Sequence, residues 1–493
     1  MDNIGRPGPH QWRGRRVAVV GLGISNLAVI RYLMKHGAII SGRDKKTLDQ
    51  LGEIGKELAA LPVDLRLGAG YLDGLDQFDA LFLTPGIPKH LPELQLAMAR
   101  GVEIHSEIEI VLAECRAPVI GVTGSSGKTT TTTLVGKMLQ AAGLQTFVGG
   151  NIGQPLIEQA AHIPLGAWVV LELSSFQLEM LQQSPQAAVV TNVTPNHLDV
   201  HASMEEYIAA KEHIFRYQGE NDWAIFNKGN TTTRAMAVRA PGQVAFFSRE
   251  EPVEVGAWVE GDRLLLRRQP HGNVEELGLR QEIVLPGWHN VENVLAAAAV
   301  TGLAARLPVA AIREVFTRFR GVPHRLERVD EVDGVLFYND SIATTPSRAL
   351  AGIRAVERPI VLIAGGYDKH LPFDELAQEI MRPGGRVRVV VLLGATAGKI
   401  AAALERAAVQ AGMSGAQTPV VLRAGSFREA VALAGRQARP GDAVLLSPAC
   451  ASYDLFHNFE ERGEVFRQLV KERVWQDEAP LAAPATPADQ QGV

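Results

Sequence analysis

The stretch GVTGSSGKTTTTT, Gly121 to Thr133, follows an apolar run from Pro118 to Val122 and precedes a helical pattern with Leu134, Val135, Met138 and Leu139 on one face. A strand, a glycine-rich turn and a helix in that order commit this part of the chain to an α/β layer. The backbone N–H groups of the turn and the helix N-terminus then converge on one point, an anion cradle. Lys128 can reach the terminal phosphates of a nucleotide there, and the Thr129 hydroxyl can ligate Mg²⁺. The spacing is not that of the strict phosphate loop, because position 122 is valine and the first glycine comes one residue early. Gly124, Ser125, Ser126, Gly127, Lys128, Thr129 and Thr130 are the nucleotide-binding candidates.

At 493 residues the chain has room for about three domains of ordinary size. A hydrophobic content of 46% allows an ample core, and a net charge of −5 gives no reason to expect a nucleic-acid partner. Two cysteines, Cys115 and Cys450, exclude a disulfide framework and suit the reducing cytoplasm. The polar start, MDNIGRPGPHQWRGRR, precedes only a strand-length apolar run, so no secretory signal is expected, and no apolar segment is long enough for a bilayer.

Three α/β blocks in a row are expected: a Rossmann-like domain over 1–106, a central doubly wound sheet over 107–321 and a second Rossmann-like domain over 322–475. Residues 476–493, rich in proline and alanine, read as a disordered tail. The first block opens with RRVAVVGLGISN, whose GLG turn would let backbone approach a phosphate or simply turn tightly into a helix ending at Lys35. Asn26 stands where the third glycine of the dinucleotide fingerprint would be. In the central block, helices are expected over Met204–Arg216 and Asn293–Leu303. Residues from about Gln243 to Leu285 read as a small β excursion. A last helix is expected from Asn458 to about Arg473.

Polar groups at the carboxyl ends of apolar strands mark the ligand crevice of open α/β sheets. Glu172 interrupts AWVVLEL, where a buried carboxylate is costly unless paired or metal-bound, so it reads as a Mg²⁺ ligand. His197 follows the strand AAVVTNVTP and reads as functional, whereas His201 reads as polar surface. Lys211, flanked by Glu205, Glu206 and Glu212, reads from spacing alone as a solvated helix charge. Asn290 and Asn293 could cap their helix or, at i, i+3, present two amides to an adenine or phosphate. Arg325, Asp340 and Lys369 lie in a turn or at strand ends, individually unremarkable and collectively a charged group toward a cleft.

The ordered segments TGSSGKTTTT, GGNIGQPL, ELSSFQLE, TNVTPNHLDVH, AAKEHIF, LPGWHNVENVLAA, GVPHRLE, YNDSIATTP, AGGYDKH and LLSPACASYDLFHNFEERGEVF resemble the Mur ligases from about Val17 to Leu469. The resemblance implies an ATP-dependent amide ligase that adds D-glutamate to UDP-N-acetylmuramoyl-L-alanine through an acyl phosphate, in peptidoglycan precursor synthesis. It implies a cytoplasmic monomer with small-molecule partners only. Ile24, Ser25, Asp44 and Gly86 fall on the family's uridine and diphosphate contacts, and Asn151 on a substrate contact near the metal. Gly124 to Thr130, Asn290, Asn293, Arg325 and Asp340 fall on ATP contacts. Thr129, Glu172, His197 and Lys211, the last as a carbamate, correspond to the positions that hold two Mg²⁺ ions. Thr344, Lys369, Ser452 and Phe459 fall on the site of the incoming glutamate.

Two departures stand out against that pattern. Ile342 occupies the place of a lysine in NDSIATT, and Tyr453 follows Ser452 where a leucine is common. These leave L-glutamate or another amino acid as an alternative substrate. A different class, an NAD-dependent oxidoreductase, would use GLGISN with Asp44 as ribose acceptor and leave Lys128 idle.

Overall fold

The computed structural model describes residues 9–476 except 86, 89, 196–200, 202, 286, 370 and 414–417. Gly86 and His197 therefore lie outside the described residues. The chain forms two compact units, Met1–Phe319 and Arg320–Val493, the first holding two sheets and the second one.

The first sheet consists of β1 (Arg16–Val20), β2 (Ile39–Asp44), β3 (Asp64–Leu67), β4 (Ala80–Leu83) and β5 (Glu103–His105), in the order β3-β2-β1-β4-β5. All its pairings are parallel. The strands β1 and β4 are near-continuous apolar runs because helices cover both faces. The helix Ile24–Lys35 buries Leu27, Ile30 and Leu33 and stops where Gly37 takes φ +76°.

The second sheet consists of β6 (Val119–Thr123), β7 (Thr146–Gly150), β8 (Trp168–Glu172), β9 (Ala187–Val190), β10 (Trp223–Asn227), β11 (Gln243–Ser248), β12 (Gly256–Glu260), β13 (Arg263–Arg267) and β14 (Val274–Leu279). Their order is β14-β13-β12-β11-β10-β9-β6-β8-β7. The expected short strands with turns are present as β11 to β14. Strand β11 pairs in parallel with β10 over five residues, and β12 to β14 extend the same sheet to its edge. One hydrophobic cluster runs from Val17 and Leu33 to Leu171 and Tyr207, fastening the two sheets of this unit together.

Two helices here differ in extent from expectation. One spans Met204–Glu212, a turn short, because the backbone bonds beyond it tighten to three-residue turns, Ile214 N–H to the Lys211 carbonyl at 3.2 Å and Phe215 N–H to the Glu212 carbonyl at 3.0 Å. The other spans Trp288–Leu303, starting at Gly287 with φ +90°.

The second unit holds β15 (Glu327–Val332), β16 (Val335–Asn339), β17 (Ile360–Gly365), β18 (Val387–Leu393), β19 (Val420–Arg423) and β20 (Ala443–Leu446), in the order β15-β16-β20-β17-β18-β19. The antiparallel edge hairpin β15–β16 turns at Asp333-Gly334, both at positive φ, the pair that a two-residue hairpin turn demands. The other four pairings are parallel. The last helix, Phe459–Lys471, is capped by Asn458, whose side chain accepts from the Glu461 amide.

Candidate active site

In the first unit the loop Gly124–Gly127 leaves the carboxyl end of β6, and the helix Lys128–Ala141 begins at Gly127 with no capping side chain. Glycine is required at both ends of this loop. Gly124 and Gly127 sit at φ +148° and +80°, and a Cβ on either would collide, with Thr191 Oγ1 and Asn293 Oδ1 respectively.

The loop is braced from β9. The Ser125 amide donates to the Asn192 carbonyl at 2.8 Å, and the Ser126 amide to Asn192 Oδ1 at 3.0 Å. Thr191 Oγ1 donates to the Ser126 carbonyl at 2.6 Å. Two of the amides expected to face a phosphate are therefore held by Asn192 here. The Ser125 hydroxyl meets Tyr207 Oη at 3.1 Å.

Lys128 Nζ donates to the carbonyls of Gly124 and Ser125 at 2.9 and 3.3 Å, and Lys211 Nζ donates to the same Gly124 carbonyl at 3.2 Å. Two ammonium groups thus share one backbone oxygen. Lys211 is 1% exposed, with its amine 4.5 Å from the centre of the Tyr207 ring. Burial, with Lys128 adding repulsion, pushes its pKa down to about 7. The solvated-charge reading of Lys211 is therefore wrong. Its helix carries Glu205 and Glu206 on the outer side, buries Glu212 against Arg239 and turns this residue inward.

Glu172, 1% exposed, ends β8 beside the loop. Its Oε1 accepts from Asn151 Nδ2 at 2.8 Å, while Oε2 is buried with no hydrogen-bond partner among the described residues. An orphaned buried carboxylate oxygen fits a cation. Thr129 is buried in the first helical turn. Among the described residues no group of three His, Cys, Asp or Glu forms a metal cluster, and His197 lies outside them.

His201 is 2% exposed, not polar surface. Its ring stacks on Phe176 at 5.1 Å and Nε2 lies 3.0 Å from Ser175 Oγ. Asn290 and Asn293 do not cap their helix, which begins at Gly287 without a side-chain cap. Asn293 Nδ2 donates to Asn290 Oδ1 at 3.1 Å and Thr131 Oγ1 donates to Asn293 Oδ1 at 3.3 Å, so both amides adjoin the loop.

In the first sheet, the GLG turn is closed by protein groups. The Leu22 amide donates to Asp44 Oδ2 at 2.6 Å and the Lys46 amide to Asp44 Oδ1 at 2.8 Å. Asn26 Nδ2 donates to the Val20 and Gly21 carbonyls, filling the place of the missing glycine. Ile24 is 66% exposed, and the Ser25 hydroxyl bonds Glu107, a buried carboxyl pushed up to about 7 by desolvation.

In the second unit, Asp340, Lys369 and Ser452 follow the adjacent strands β16, β17 and β20 at their carboxyl ends. Asp340 is buried; its Oδ1 accepts from the Leu326 amide at 3.2 Å and Oδ2 from Ser447 Oγ at 2.8 Å. Desolvation pushes its pKa up to about 6 against these bonds and the nearby charges of Arg325 and Arg348. Ser341 Oγ donates to the Phe459 carbonyl at 2.8 Å. Thr344 is half-buried and Lys369 exposed. Beside Ile342, Arg348 Nη1 donates to the Ile342 carbonyl at 3.4 Å, bringing a cation to a position without one of its own.

Family models match almost end to end: the Mur ligase MurD-like N-terminal domain over 15–106, the Mur ligase middle domain over 122–301 and the Mur ligase glutamate ligase domain over 324–450. The chain is similar to UDP-N-acetylmuramoylalanine--D-glutamate ligase of Symbiobacterium thermophilum, 52% identical over 458 residues, 92% of this chain and 98% of that one. The same-named protein of Acetivibrio thermocellus is 46% identical over 93% of this chain and 96% of its own length. The chain belongs to the Mur ligase family. Its fold is that of UDP-N-acetylmuramate-alanine ligase MurC from Thermotoga maritima, with a TM-score of 0.50 at 19% identity over 93% of this chain and all of that one. It is likewise that of MurF from Acinetobacter baumannii, with a TM-score of 0.51 at 16% identity over 94% and 92%.

Three site residues of this Mur ligase escape sequence reasoning. Thr191 and Asn192 brace the phosphate loop from within TNVTP, where position directly after a buried strand was the available signal. Arg462, buried in FEERGEVF, donates Nη2 to the Ser341 carbonyl at 2.9 Å and Nη1 to the Cys450 and Ala451 carbonyls at 3.1 and 3.2 Å. It ties the Asp340 turn to the Ser452 turn. A charged residue on an otherwise polar helix gives no hint of that burial.

Proposed function

We propose that this Mur ligase is an ADP-forming enzyme that joins the amine of D-glutamate to the terminal carboxyl of UDP-N-acetylmuramoyl-L-alanine, in the cytoplasm, as a monomer, during peptidoglycan precursor synthesis. The observation that carries the reading is the glycine loop with Lys128 and Lys211 on one carbonyl and the orphaned Glu172 oxygen beside it. Its place in a chain half identical to a D-glutamate ligase over nearly all its length supports the choice of substrates.

The substrate carboxylate attacks the γ-phosphorus of ATP, the bond from that phosphorus to the bridging oxygen breaks, and ADP leaves with the electron pair. The glutamate amine then attacks the acyl carbon, inorganic phosphate departs and the amine loses a proton. Two anions must approach in the first step, so the loop amides that Asn192 does not hold and the Lys128 ammonium bind the γ-phosphate and offset its charge. Thr129, Glu172, His197 and a carbamate on Lys211 would hold Mg²⁺, which supplies electrophilic activation of the phosphoryl group when bound. A buried Lys211 amine that adds CO₂ and releases a proton exchanges an unfavourable buried cation beside Lys128 for an anion that attracts it. Asn290 and Asn293 contact adenine.

Ile24, Ser25, Asp44 and Gly86 hold the uridine diphosphate end, and Asn151 orients the substrate near Glu172. Thr344, Lys369, Ser452 and Phe459 receive glutamate, with Arg348 supplying the cation that Ile342 lacks. A panel of D-glutamate, L-glutamate and other amino acids, with ATP and the sugar-nucleotide, tests the assignment. Phosphate release coupled to D-glutamate alone is the expected result, and preferential turnover of another amino acid removes it.

A further inference from the structure

The far end of the central sheet, away from the phosphate loop, carries a groove of about 960 Å³. Its floor is the amino ends of the strands: Pro118 before β6, Trp168 opening β8, Ala187 opening β9, Trp223 opening β10 and Gln243 opening β11. Parallel register sets these starts side by side, Trp223 opposite both Ala187 and Gln243. Small residues in the middle and indoles toward the sides leave a trough. The volume is at the upper end of the range for small-molecule sites, roughly 300–1,000 Å³.

The wall is built by an arginine whose bonds are filled. Arg268 holds Glu275 with Nε and Nη2, at 2.6 and 3.1 Å, and donates to the Gly302 and Leu307 carbonyls at 2.6 and 2.8 Å. This fixes β13 against the turn that follows the helix Trp288–Leu303, and it neutralises Arg268 and Glu275 together.

Within that turn Arg306 is held at φ +52°, a conformation a glycine would adopt without strain. Its side chain is exposed, lines the groove and has no hydrogen bond or ion pair to another described residue. Asn221, Gln243, Gln269 and Asn273 line the same trough, also without side-chain partners among the described residues. Trp168 and Trp223 are half-buried and stack on no other ring among the described residues.

Half-exposed indoles offer flat apolar faces to the C–H faces of a pyranose, while side-chain amides donate to and accept from its hydroxyl and acetamido groups. Arg306, with the Asp222 carboxylate in the same groove occupied by the Gly219 amide at 2.8 Å, adds one guanidinium fork for one carboxylate. We propose that this groove is a second ligand site, separate from the ATP-binding end of the sheet, for a saccharide bearing a single anionic group. The assignment rests on the groove and not on the ligase reading, and it stands or falls separately from it.

The test is ligand-observed NMR titration of the full chain with N-acetylmuramic acid, N-acetylglucosamine and acetate, in wild type and in Arg306→Gly. That variant suits the local φ, so it keeps or raises the melting temperature. Wild type is expected to bind N-acetylmuramic acid about tenfold more tightly than either other probe, and Arg306→Gly to lose about that factor, the worth of one charge-assisted hydrogen bond. Trp223→Ala, checked for an unchanged fold by circular dichroism, should weaken both sugars. ADP affinity, read in parallel, should be the same in every variant. No binding of N-acetylmuramic acid by wild type, equal binding of acetate or N-acetylglucosamine, or undiminished affinity in Arg306→Gly would each overturn the proposal.

Discussion

The first and central sheets each send a strand into a glycine turn and a helix, yet the two turns are finished differently. After β1, a carboxylate closes the turn: Asp44 takes the Leu22 and Lys46 amides, and Asn26 fills the remaining carbonyls. After β6, an amide side chain and two cations gather instead, Asn192 below the loop and Lys128 and Lys211 on the Gly124 carbonyl. The Asp44 carboxylate satisfies the amides of its own turn, whereas two lysine amines at one oxygen call for an anion from outside the chain. Glycine content is shared by both turns, so it does not distinguish them. What decides the chemistry is the charge that distant residues bring to the turn.

The strongest way to break this contrast is Lys128→Ala. Removing the cation from the central loop should lower ADP formation dependent on UDP-N-acetylmuramoyl-L-alanine by at least about a hundredfold, the scale for losing one preorganised donor on a developing charge. Retained turnover in a coupled assay would mean that the cations are structural and the two turns are alike.

Lys211→Ala should come next in size. If the buried amine carries a carbamate, the variant loses most activity and regains part of it with added short carboxylic acids, which restore an anion in the vacated space. Full activity without addition would return Lys211 to a packing role against Tyr207.

How far these differences could be read from sequence follows from their origin. The strands and the glycine turns are local signals, carried by apolar runs and by backbone needs that few residues meet. The Mur ligase resemblance added the roles. Burial of Lys211 and His201 was hidden, because a helix flanked by glutamates and a histidine-rich loop look solvated until neighbouring elements cover them. Asn192 and Arg462 act on carbonyls and amides far along the chain, and no spacing rule announces such partners. The short strands β11–β14 were legible from their frequent turns, whereas the in-register pairing of β11 with β10 carries no local signal.

Asp44→Ala sharpens the comparison from the other side. The buried Leu22 amide loses its acceptor, which should cost about 1–3 kcal/mol and lower the melting temperature, while the part-buried Lys46 amide adds less. The KM for the sugar-nucleotide should rise several-fold while ATP affinity stays unchanged. A loss of ATP affinity equal to the loss of sugar-nucleotide affinity would show that the two turns do not serve separate ligands.

The smallest effect is expected at the third strand end, where a carboxylate again closes a turn but is desolvated more than it is compensated. Asp340 has its pKa raised from 3.8 to about 6. Between these values the unfolded chain has released its proton and the folded chain has kept it, so the folded state binds more protons. Stability of the second unit therefore falls as pH rises through this window and levels off above it. Asp340→Asn removes the titration while leaving one acceptor for the Leu326 amide, and its stability relative to wild type should rise from pH 4 to pH 7. Hydrogen exchange of β16 and the following turn, compared between wild type and Asp340→Asn across that range, reads the difference locally. Parallel pH profiles would mean that the Ser447 and Leu326 bonds compensate the buried charge in full.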